Sequence, residues 1–248
     1  MPTLILTPRF TSDAQALWRA ARRLGWGTER LATWRVPPEL LDVRDPVLYL
    51  EGLFAQTLAA EFGVRLVEPP EDWVPGLPPE YLKRKVERTT LGAARMSARP
   101  MFVKPPNDKS FEARVYRGSE LPKEYADTAS VLVAEPVSWE MEFRCIVLDR
   151  SVRTISIYLR NGELQRENEF AATDSEMASA TEFVESVLDD SRVVLPRAAV
   201  VDVGVIAGRG WAVVEQNAAW GSGIYGCDAE RVLEVLRQAS AKSDGSSM

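Results

Sequence analysis

The stretch VVDVGVIAGRGWAVVEQN, residues 200–217, contains two apolar runs separated by a glycine-rich turn. Such runs around a short GRG segment predict two antiparallel strands joined as a hairpin. Alternate side chains of a strand point to one face, so Glu215 and Asn217 share a face. If the turn is centred near Gly208–Arg209, Asp202 lies opposite Glu215 to within about one residue. Two carboxylates and an amide oxygen would then converge on one point.

These three side chains are oxygen ligands of the type that Mg²⁺ takes in proteins. Two carboxylates held together without a counter-ion repel each other, and a divalent cation removes that repulsion. In the alternative interpretation, Glu215 and Asn217 lie on a solvated face while Val213 and Val214 point into the core. An isolated Glu-x-Asn favours that alternative, whereas the partner Asp202 and the glycine-rich stretch that follows favour a metal site.

Histidine is absent from all 248 residues, and this limits the available chemistry. A Ser-His-Asp triad, a Cys-His pair and an imidazole general base are excluded. The two cysteines, Cys145 and Cys227, are far apart and do not have a metal-binding spacing, so a structural zinc site is not expected. Catalysis would therefore depend on carboxylates, lysine, arginine and hard metal ions.

The net charge of −6 is unevenly distributed along the chain. Residues 1–130 carry 19 Lys/Arg and 17 Asp/Glu, a net of +2, whereas residues 131–248 carry 11 and 19, a net of −8. The acidic second half suits a site that collects divalent cations, although a solvated acidic surface explains most of these carboxylates. Nucleic acid is not expected as a main ligand. With no apolar run of membrane length and no positive segment before MPTLILTPRF, we expect a cytoplasmic protein without a membrane anchor.

Strands and helices alternate over the first part of the chain, which predicts a small parallel α/β unit. The predicted strands are 3–6, 26–34, 46–52 and 64–70, and the predicted helices are 11–25 and 53–63. PPEDWVPGLPP, residues 69–79, is the strongest boundary signal in the chain. Beyond it we expect a basic helix at roughly 80–97, two strands within 101–121, three or more strands within 131–164 with an Asn-Gly turn at 161–162, and helices at 175–190 and 229–240. Residues 242–248 are expected to form a frayed tail.

Several other segments carry candidate binding groups. MFVKPP places Lys104 at the end of an apolar strand, and the loop after it supplies Lys109; each is either a surface lysine or a phosphate ligand. VLVAEPV ends at Glu135–Pro136, where proline interrupts the strand ladder and frees backbone groups. In MEFRCIVL, Glu142 and Arg144 share one face, as an internal ion pair or as a site that meets a hydroxyl and an anion.

The order of these segments resembles the ATP-grasp superfamily over about residues 78–240. VKP around Lys104 is similar to the phosphate-binding strand, VLVAEPV to the linker that contacts adenine, and MEFRCIVLD to the strand whose glutamate meets the ribose. VVDVGVI and VVEQN resemble the two metal-binding strands. One divergent clade, marked by an extra arginine and two lysines, fits best, and Arg84, Lys104 and Lys109 are the candidates. For Arg84 a solvated helix face is the alternative.

The resemblance implies an α+β protein with two lobes that hold ATP between them, preceded by a small parallel α/β domain. The expected division is 1–75 for the first domain, 76–135 for the small lobe and 136–248 for the large lobe. The expected activity is ligation of a carboxylate to an amine through an acylphosphate with ATP and Mg²⁺, or alternatively phosphoryl transfer or nucleotide binding without turnover. The substrates would be small molecules, amino acids or peptides, and the oligomeric state is left open.

The same resemblance assigns roles to individual residues. Lys104 and Lys109 would hold phosphates, with Arg84 also at the nucleotide. Glu135, Pro136 and Val137 would line the adenine, and Glu142 would bind ribose. Asp202, Glu215 and Asn217 would hold Mg²⁺; Arg144 and Arg160 would stabilise the transferring phosphoryl group or the substrate carboxylate; and Gly221, Ser222 and Gly223 would offer backbone N–H groups to that carboxylate. The loop PPNDKS lacks the glycines that many family members place over the phosphates.

Overall fold

The computed structural model describes residues 1–50 and 52–242. The chain begins with β1 (Thr3–Leu6), α1 (Ser12–Arg23), β2 (Gly27–Arg30), β3 (Pro46–Tyr49), α2 (Gly52–Glu61) and β4 (Val64–Leu66). Its middle part consists of α3 (Pro79–Leu82), β5 (Val86–Thr90), α4 (Leu91–Arg95), β6 (Met101–Lys104), β7 (Arg114–Tyr116) and β8 (Ser130–Ala134). The last part consists of β9 (Trp139–Leu148), β10 (Ser151–Arg160), β11 (Glu163–Leu164), α5 (Asp174–Asp189), β12 (Ala198–Ile206), β13 (Gly210–Asn217), α6 (Ala229–Leu236) and β14 (Ser240–Lys242). The predicted α+β class is confirmed.

The N-terminal unit is a parallel sheet with strand order β2–β1–β3, as the alternating pattern predicted. Its first helix starts where Thr11 caps it, because the Thr11 hydroxyl accepts a hydrogen bond from the N–H of Ala14 at 3.0 Å. Leu17, Ala20 and Ala21 recur at helical spacing and are fully buried against the sheet. The carboxyl ends of the strands therefore lie at one edge, followed by the loops that start α1 and α2.

The fourth predicted strand forms but does not join this sheet. β4 pairs antiparallel with β14, at the end of the described chain. The predicted helix 229–240 was too long: α6 ends at Leu236, and residues 240–242 extend to make this pairing. Of the predicted tail, Lys242 lies in β14 and residues 243–248 lie outside the described residues. One hydrophobic core accordingly joins the N-terminal unit to the last third of the chain.

The predicted basic helix over 80–97 is wrong. α3 stops at Lys83, whose φ of 52° is left-handed and ends the helix. Residues 86–90, VERTT, then form β5, which pairs antiparallel with β8. Three of these five residues are β-branched, so they pack better on a sheet than in a helix. The sheet has strand order β5–β8–β6–β7.

The last part of the chain forms an antiparallel sheet with strand order β11–β10–β9–β12–β13. The predicted turn at Asn161–Gly162 is confirmed, and both residues have positive φ, 48° and 80°. One face of this sheet, with Phe143 and Cys145, packs on α5, and the other face packs its Ile146 end against the N-terminal unit. Within residues 1–50 and 52–242, no helix is long and apolar enough to span a membrane.

Replacing Lys83 by glycine distinguishes this chain path from a continuous helix. Glycine adopts a left-handed conformation without strain, so we expect Lys83→Gly to leave the free energy of unfolding within about 0.5 kcal/mol of the parent or to raise it. In the middle of a helix the same change would cost about 1 kcal/mol. Glu182→Gly, at an exposed position inside α5, is the matched control and should show that loss in urea unfolding. Equal destabilisation by the two changes would contradict the break at Lys83.

Candidate functional site

The hairpin of β12 and β13 brings the three predicted oxygen ligands together. Asp202 pairs directly with Glu215, as the count from the turn predicted. The Asn217 amide nitrogen donates hydrogen bonds to Asp202 Oδ2 at 3.1 Å and to Glu215 Oε1 at 2.9 Å. Asp202 is fully buried, and Glu215 and Asn217 are partly buried. The alternative of a solvated face therefore does not apply.

Two cations of the chain balance the charge of this cluster. Arg144 forms a bidentate ion pair with Asp202, at 3.0 Å from Nε to Oδ1 and 2.6 Å from Nη2 to Oδ2. Lys104, from the small sheet, pairs with Glu215. Burial raises the pKa of Glu215, but the Lys104 ammonium and the Asn217 amide outweigh burial and hold this pKa at about 2. Both carboxylates are thus kept ionised by partners from different strands.

The donor set of the cluster suits a magnesium ion. Two carboxylates and one amide oxygen are hard oxygen ligands, and Mg²⁺ takes only a few of these from a protein. Among the described residues, no group of three or more His, Cys, Asp or Glu side chains could hold a metal, so Asn217 is needed to complete the set. To ligate an ion, the Lys104 ammonium must leave Glu215, and the Asn217 amide must turn its oxygen toward the carboxylates.

Glu142 and Arg144 lie on the same face of β9 as the cluster, as their alternation predicted. The Tyr158 hydroxyl donates to Glu142 Oε2 at 2.9 Å. Burial raises the pKa of Glu142 to about 7, and the nearby Asp202 and Glu215 add to this effect. The Arg144 guanidinium lies over the Tyr225 ring at 4.7 Å and donates to the carbonyl of Gly223 at 2.8 Å. Arg144 therefore connects the cluster to the segment after β13.

An apolar cavity of about 170 Å³ opens beside this cluster, between the small and large sheets. The predicted residues Arg84, Lys104, Glu135, Pro136, Val137 and Glu215 line it. Its apolar walls consist of residues that the sequence analysis did not single out: Val74, Val86, Phe102, Val115, Leu132, Ala134, Trp139 and Val214. The alternation of MFVK and VLVA was the available signal, because it puts Phe102 and Leu132 on faces opposite to their neighbours.

The side chain of Glu135 is turned away to an ion pair with Arg209, at 2.6 Å from Nη2 to Oε1. Arg209 lies in the turn between β12 and β13, and it also donates to the carbonyl of Lys83 at 2.9 Å. The Glu135 N–H donates to the carbonyl of Lys85 at 2.9 Å. Glu135 therefore fixes the strand end, while Pro136 and Val137 continue the cavity wall.

Arg160 is not brought to the cluster. Its guanidinium forms a bidentate ion pair with Glu176 of α5, at 2.8 and 2.9 Å. A bulge in β10 is the reason: Ile157 pairs with Phe143 but Leu159 pairs with Glu142, which leaves Tyr158 as an extra residue. Strict alternation would place Arg160 on the face of Tyr158, and the bulge moves it to the α5 face.

Lys109 is exposed in the loop between β6 and β7 and is not among the residues that line the cavity. Arg84 is not on a solvated helix face, since it follows α3 and its guanidinium donates to backbone carbonyls of β13. The loop between β6 and β7 is held to the linker by Asn107, whose amide donates to the carbonyl of Pro69 at 2.8 Å.

The predicted substrate segment Gly221–Gly223 lies between the cluster and the N-terminal unit. The N–H groups of Gly221 and Ser222 donate to the carbonyls of Ala218 and Ala219 at 3.3 and 3.5 Å. The next N–H, that of Ile224, donates to Asp13 Oδ2 of α1 at 2.9 Å. The sequence analysis missed Asp13 as an anchor, since its position near a helix start indicated only a cap.

Changing Glu142 to glutamine should make stability depend less on pH. In the folded protein the pKa of Glu142 is about 7 rather than 4.5, so ionising it there costs free energy. This cost is absent below about pH 4.5, grows as the pH rises, and is complete above about pH 7. The free energy of unfolding of Glu142→Gln relative to the parent should therefore rise over this interval, by at most roughly 3 kcal/mol. Glu140→Gln, on the exposed part of the same strand, is the control, and a constant difference between Glu142→Gln and the parent would contradict the expectation.

Changing Lys104 to methionine should destabilise the protein without any ligand. The change leaves the Glu215 carboxylate partly buried without its cation, which costs about 1 to 3 kcal/mol. Adding Glu215→Gln removes the unpaired charge and should recover part of this loss. Thermal unfolding of both variants, with the exposed Lys109→Met as control, measures the effect. If Lys104→Met unfolds at the parent temperature, the ion pair between the two sheets does not contribute to stability.

Comparison with known proteins identifies the arrangement. A family model for the ATP-grasp domain matches residues 81–235, more than half of the chain. The model describes family 2 of the clade that is named for one arginine and two lysines. A sequence comparison with curated proteins gives no match.

Among solved structures, a RimK domain protein ATP-grasp from Sphaerobacter thermophilus DSM 20745 is similar, with a TM-score of 0.55 and 15% identity over 95% of this chain and 99% of that one. The D-cycloserine synthetase DcsG is similar with a TM-score of 0.57 and 15% identity, over 95% and 98% of the two chains. The D-alanine–D-alanine ligase from Bacillus anthracis has a TM-score of 0.54 and 12% identity, over 96% of each. At these identities the structures show a shared fold, and the family match shows that the chain belongs to the ATP-grasp domain, in family 2 of the arginine-and-two-lysine clade.

Proposed function

We propose that this protein is an ATP- and Mg²⁺-dependent ligase that joins a carboxylate to an amine through an acylphosphate. The observation that carries the proposal is the cluster of Asp202, Glu215 and Asn217, with Lys104 and Arg144 paired to it, beside an apolar cavity between two sheets. An ATP-grasp ligase needs such an apolar place for a base next to hard oxygen ligands for the metal that accompanies the phosphates. Membership of the family supports ATP as the nucleotide.

The nucleotide base would enter the cavity between Phe102 and Leu132 of the small sheet and Trp139 of the large sheet, with Pro136 and Val137 at its edge. Glu142, hydrogen-bonded to Tyr158, would accept a hydroxyl of the ribose. Lys104 would move from Glu215 to the phosphates, because a compact ammonium on a flexible side chain can follow them. Lys109 and Arg84 were predicted beside the nucleotide; Lys109 would need its loop to close over the phosphates, and the position of Arg84 is taken up below.

Asp202, Glu215 and Asn217 would hold the magnesium ion, which offsets the negative charge on the phosphates when it is bound. Replacing Lys104 by a divalent ion at Glu215 keeps the carboxylate ionised, because one cationic partner replaces another. The family uses this chemistry, and a RiPP-associated ATP-grasp ligase from Chryseobacterium gregarium, similar with a TM-score of 0.51, was solved with ADP and a leader and core peptide.

In the reaction, a carboxylate oxygen of the substrate attacks the γ-phosphorus, and ADP leaves. The amine nitrogen then attacks the carbonyl carbon of the acylphosphate, phosphate leaves, and the amine loses a proton. Arg144 is the cation best placed to stabilise charge on these groups, because it reaches both Asp202 and the Gly223 carbonyl. Arg160, in its ion pair with Glu176, would have to break two hydrogen bonds to take this role.

The carboxylate substrate would approach along Gly221–Gly223, between the cluster and the carboxyl ends of β1 and β3. Ligands of open parallel sheets bind at these strand ends. The N–H of Leu50, just after β3, donates to the carbonyl of Trp220 at 2.9 Å, so the strand end and the segment form one wall. Residues 1–75 would then supply substrate contacts, 76–135 would cover the nucleotide, and 136–248 would carry the metal ligands. We expect amino acids or peptides among the substrates and the cytoplasm as the compartment.

A pooled screen of carboxylates and amines for ATP-dependent phosphate release tests the proposal. We expect release of phosphate and ADP that requires Mg²⁺, a carboxylate and an amine together, with a product mass equal to the two substrates less water. Asn217→Ala should weaken Mg²⁺-dependent turnover about tenfold or more, because it removes one oxygen ligand. Asn168→Ala, whose amide contacts Gln165 away from the cluster, is the matched control.

Two other outcomes would overturn the ligase proposal. A stable phosphorylated product that forms without any amine would make the protein a phosphotransferase. Nucleotide binding without phosphate release in every pool, at amounts of protein that detect one turnover, would make it a nucleotide-binding protein that does not turn over.

A further inference from the structure

β13 carries a bulge immediately before the metal-ligand candidate Glu215. Asp202 pairs with Glu215, but the next residue of β12, Val203, pairs with Val213. Val214 is therefore an extra residue without a partner on β12. β13 is also the edge strand of its sheet, so no further strand satisfies the carbonyl groups on its outer side.

Arg84 satisfies the two carbonyl groups of this bulge. Its Nη1 donates to the carbonyl of Val213 at 2.7 Å, and its Nη2 donates to the carbonyl of Val214 at 3.0 Å. In a regular strand successive carbonyls point in opposite directions, so one guanidinium reaches both only because the bulge turns them to the same side. A third hydrogen bond, to the carbonyl of Leu82 at 3.1 Å, fixes the arginine to the end of α3.

The guanidinium is held from its other side by the Trp139 ring, 5.0 Å away. Burial lowers the pKa of Arg84 to about 10, which keeps the side chain charged at neutral pH. The planar fork of arginine matches two neighbouring acceptors, whereas a lysine ammonium acts as a single point. Arg84 also lines the nucleotide cavity, so a direct contact with phosphate is the competing interpretation.

We propose that Arg84 is a positioning residue that holds the bulge at Val214 and thereby aims the Glu215 carboxylate at the magnesium ion. This inference rests on the proposed function, because it concerns the same metal site. A direct phosphate contact would require Arg84 to give up hydrogen bonds to three backbone carbonyls. Those carbonyls would then lose their partner at the sheet edge, which is an unfavourable exchange in a partly buried place.

The test compares ADP binding with and without metal, by calorimetry on the full chain. Arg84→Met should weaken binding of ADP in the presence of Mg²⁺ by about tenfold to hundredfold, the range for partners that orient a metal ligand. Binding of ADP in EDTA should change less than about twofold, because Glu215 acts only through the metal. At saturating ADP, the Mg²⁺ concentration needed for half-saturation should rise by the same factor as the Mg²⁺-dependent loss.

Arg88→Met is the matched control, since Arg88 lies four positions further on and pairs with the exposed Glu71 at 3.4 Å. Glu215→Gln should by itself abolish most of the Mg²⁺ dependence, and adding Arg84→Met to it should cause no further loss. Arg84→Lys, which keeps the charge but loses the fork, should fall between the parent and Arg84→Met in the presence of Mg²⁺, and it replaces Arg84→Met if that variant does not fold.

An equal loss with and without Mg²⁺ would overturn the inference, because it would show a direct contact between Arg84 and the phosphates. No loss in either condition would overturn it as well. If the parent itself does not bind ADP, the proposed function fails rather than the role of Arg84. Parent binding that does not depend on Mg²⁺ would remove the metal site and the positioning role together.

Discussion

The site depends on one buried balance of charge. Two carboxylates, Asp202 and Glu215, lie opposite each other on neighbouring strands, and each is neutralised by a cation from elsewhere in the chain. Arg144 comes from the next strand of the same sheet, whereas Lys104 comes from the other sheet. Removing either cation would leave a carboxylate without compensation in a place where water cannot replace it.

The two ion pairs differ in what they allow. The bond between Arg144 and Asp202 is bidentate and buried, and Asp202 sits between Arg144 and the Asn217 amide. Lys104 makes a single contact with Glu215 at the mouth of the cavity, and its side chain is free to turn toward another anion. A bound nucleotide with its metal would exchange partners here: lysine to phosphate and carboxylate to magnesium. Such an exchange conserves the number of charge pairs, so the cost of opening the pair is offset by the ligand that opens it.

What the sequence could predict follows from the range of the interactions. The register of Asp202 and Glu215 was predictable, because a short turn fixes the pairing of the strands that it joins. The face shared by Glu142 and Arg144 was predictable for the same local reason. The position of Arg160 was not, since a bulge in β10 reverses the alternation and no residue type marks it. Nor could the contacts of Arg84 be predicted: VERTT was read as helix because its charges continue those of LKRK, and pairing with β8 decided otherwise.

The distribution of apolar contacts indicates which part of the protein can move. The N-terminal unit shares a core with Ile146, Val200 and α6, and β14 completes its edge by pairing with β4. The linker also packs on the large sheet through Trp73 and Leu82, whereas the small sheet has a separate core around Val103.

Between the small and large sheets the polar contacts are those of Lys104, Arg84 and Arg209, which lie at the cavity mouth and beside the two connecting segments. A small sheet joined in this way can rotate over the cavity without exposing either core. The residues that orient the metal strand are then also the ones at the hinge, so closure over a nucleotide and alignment of Glu215 are mechanically the same event.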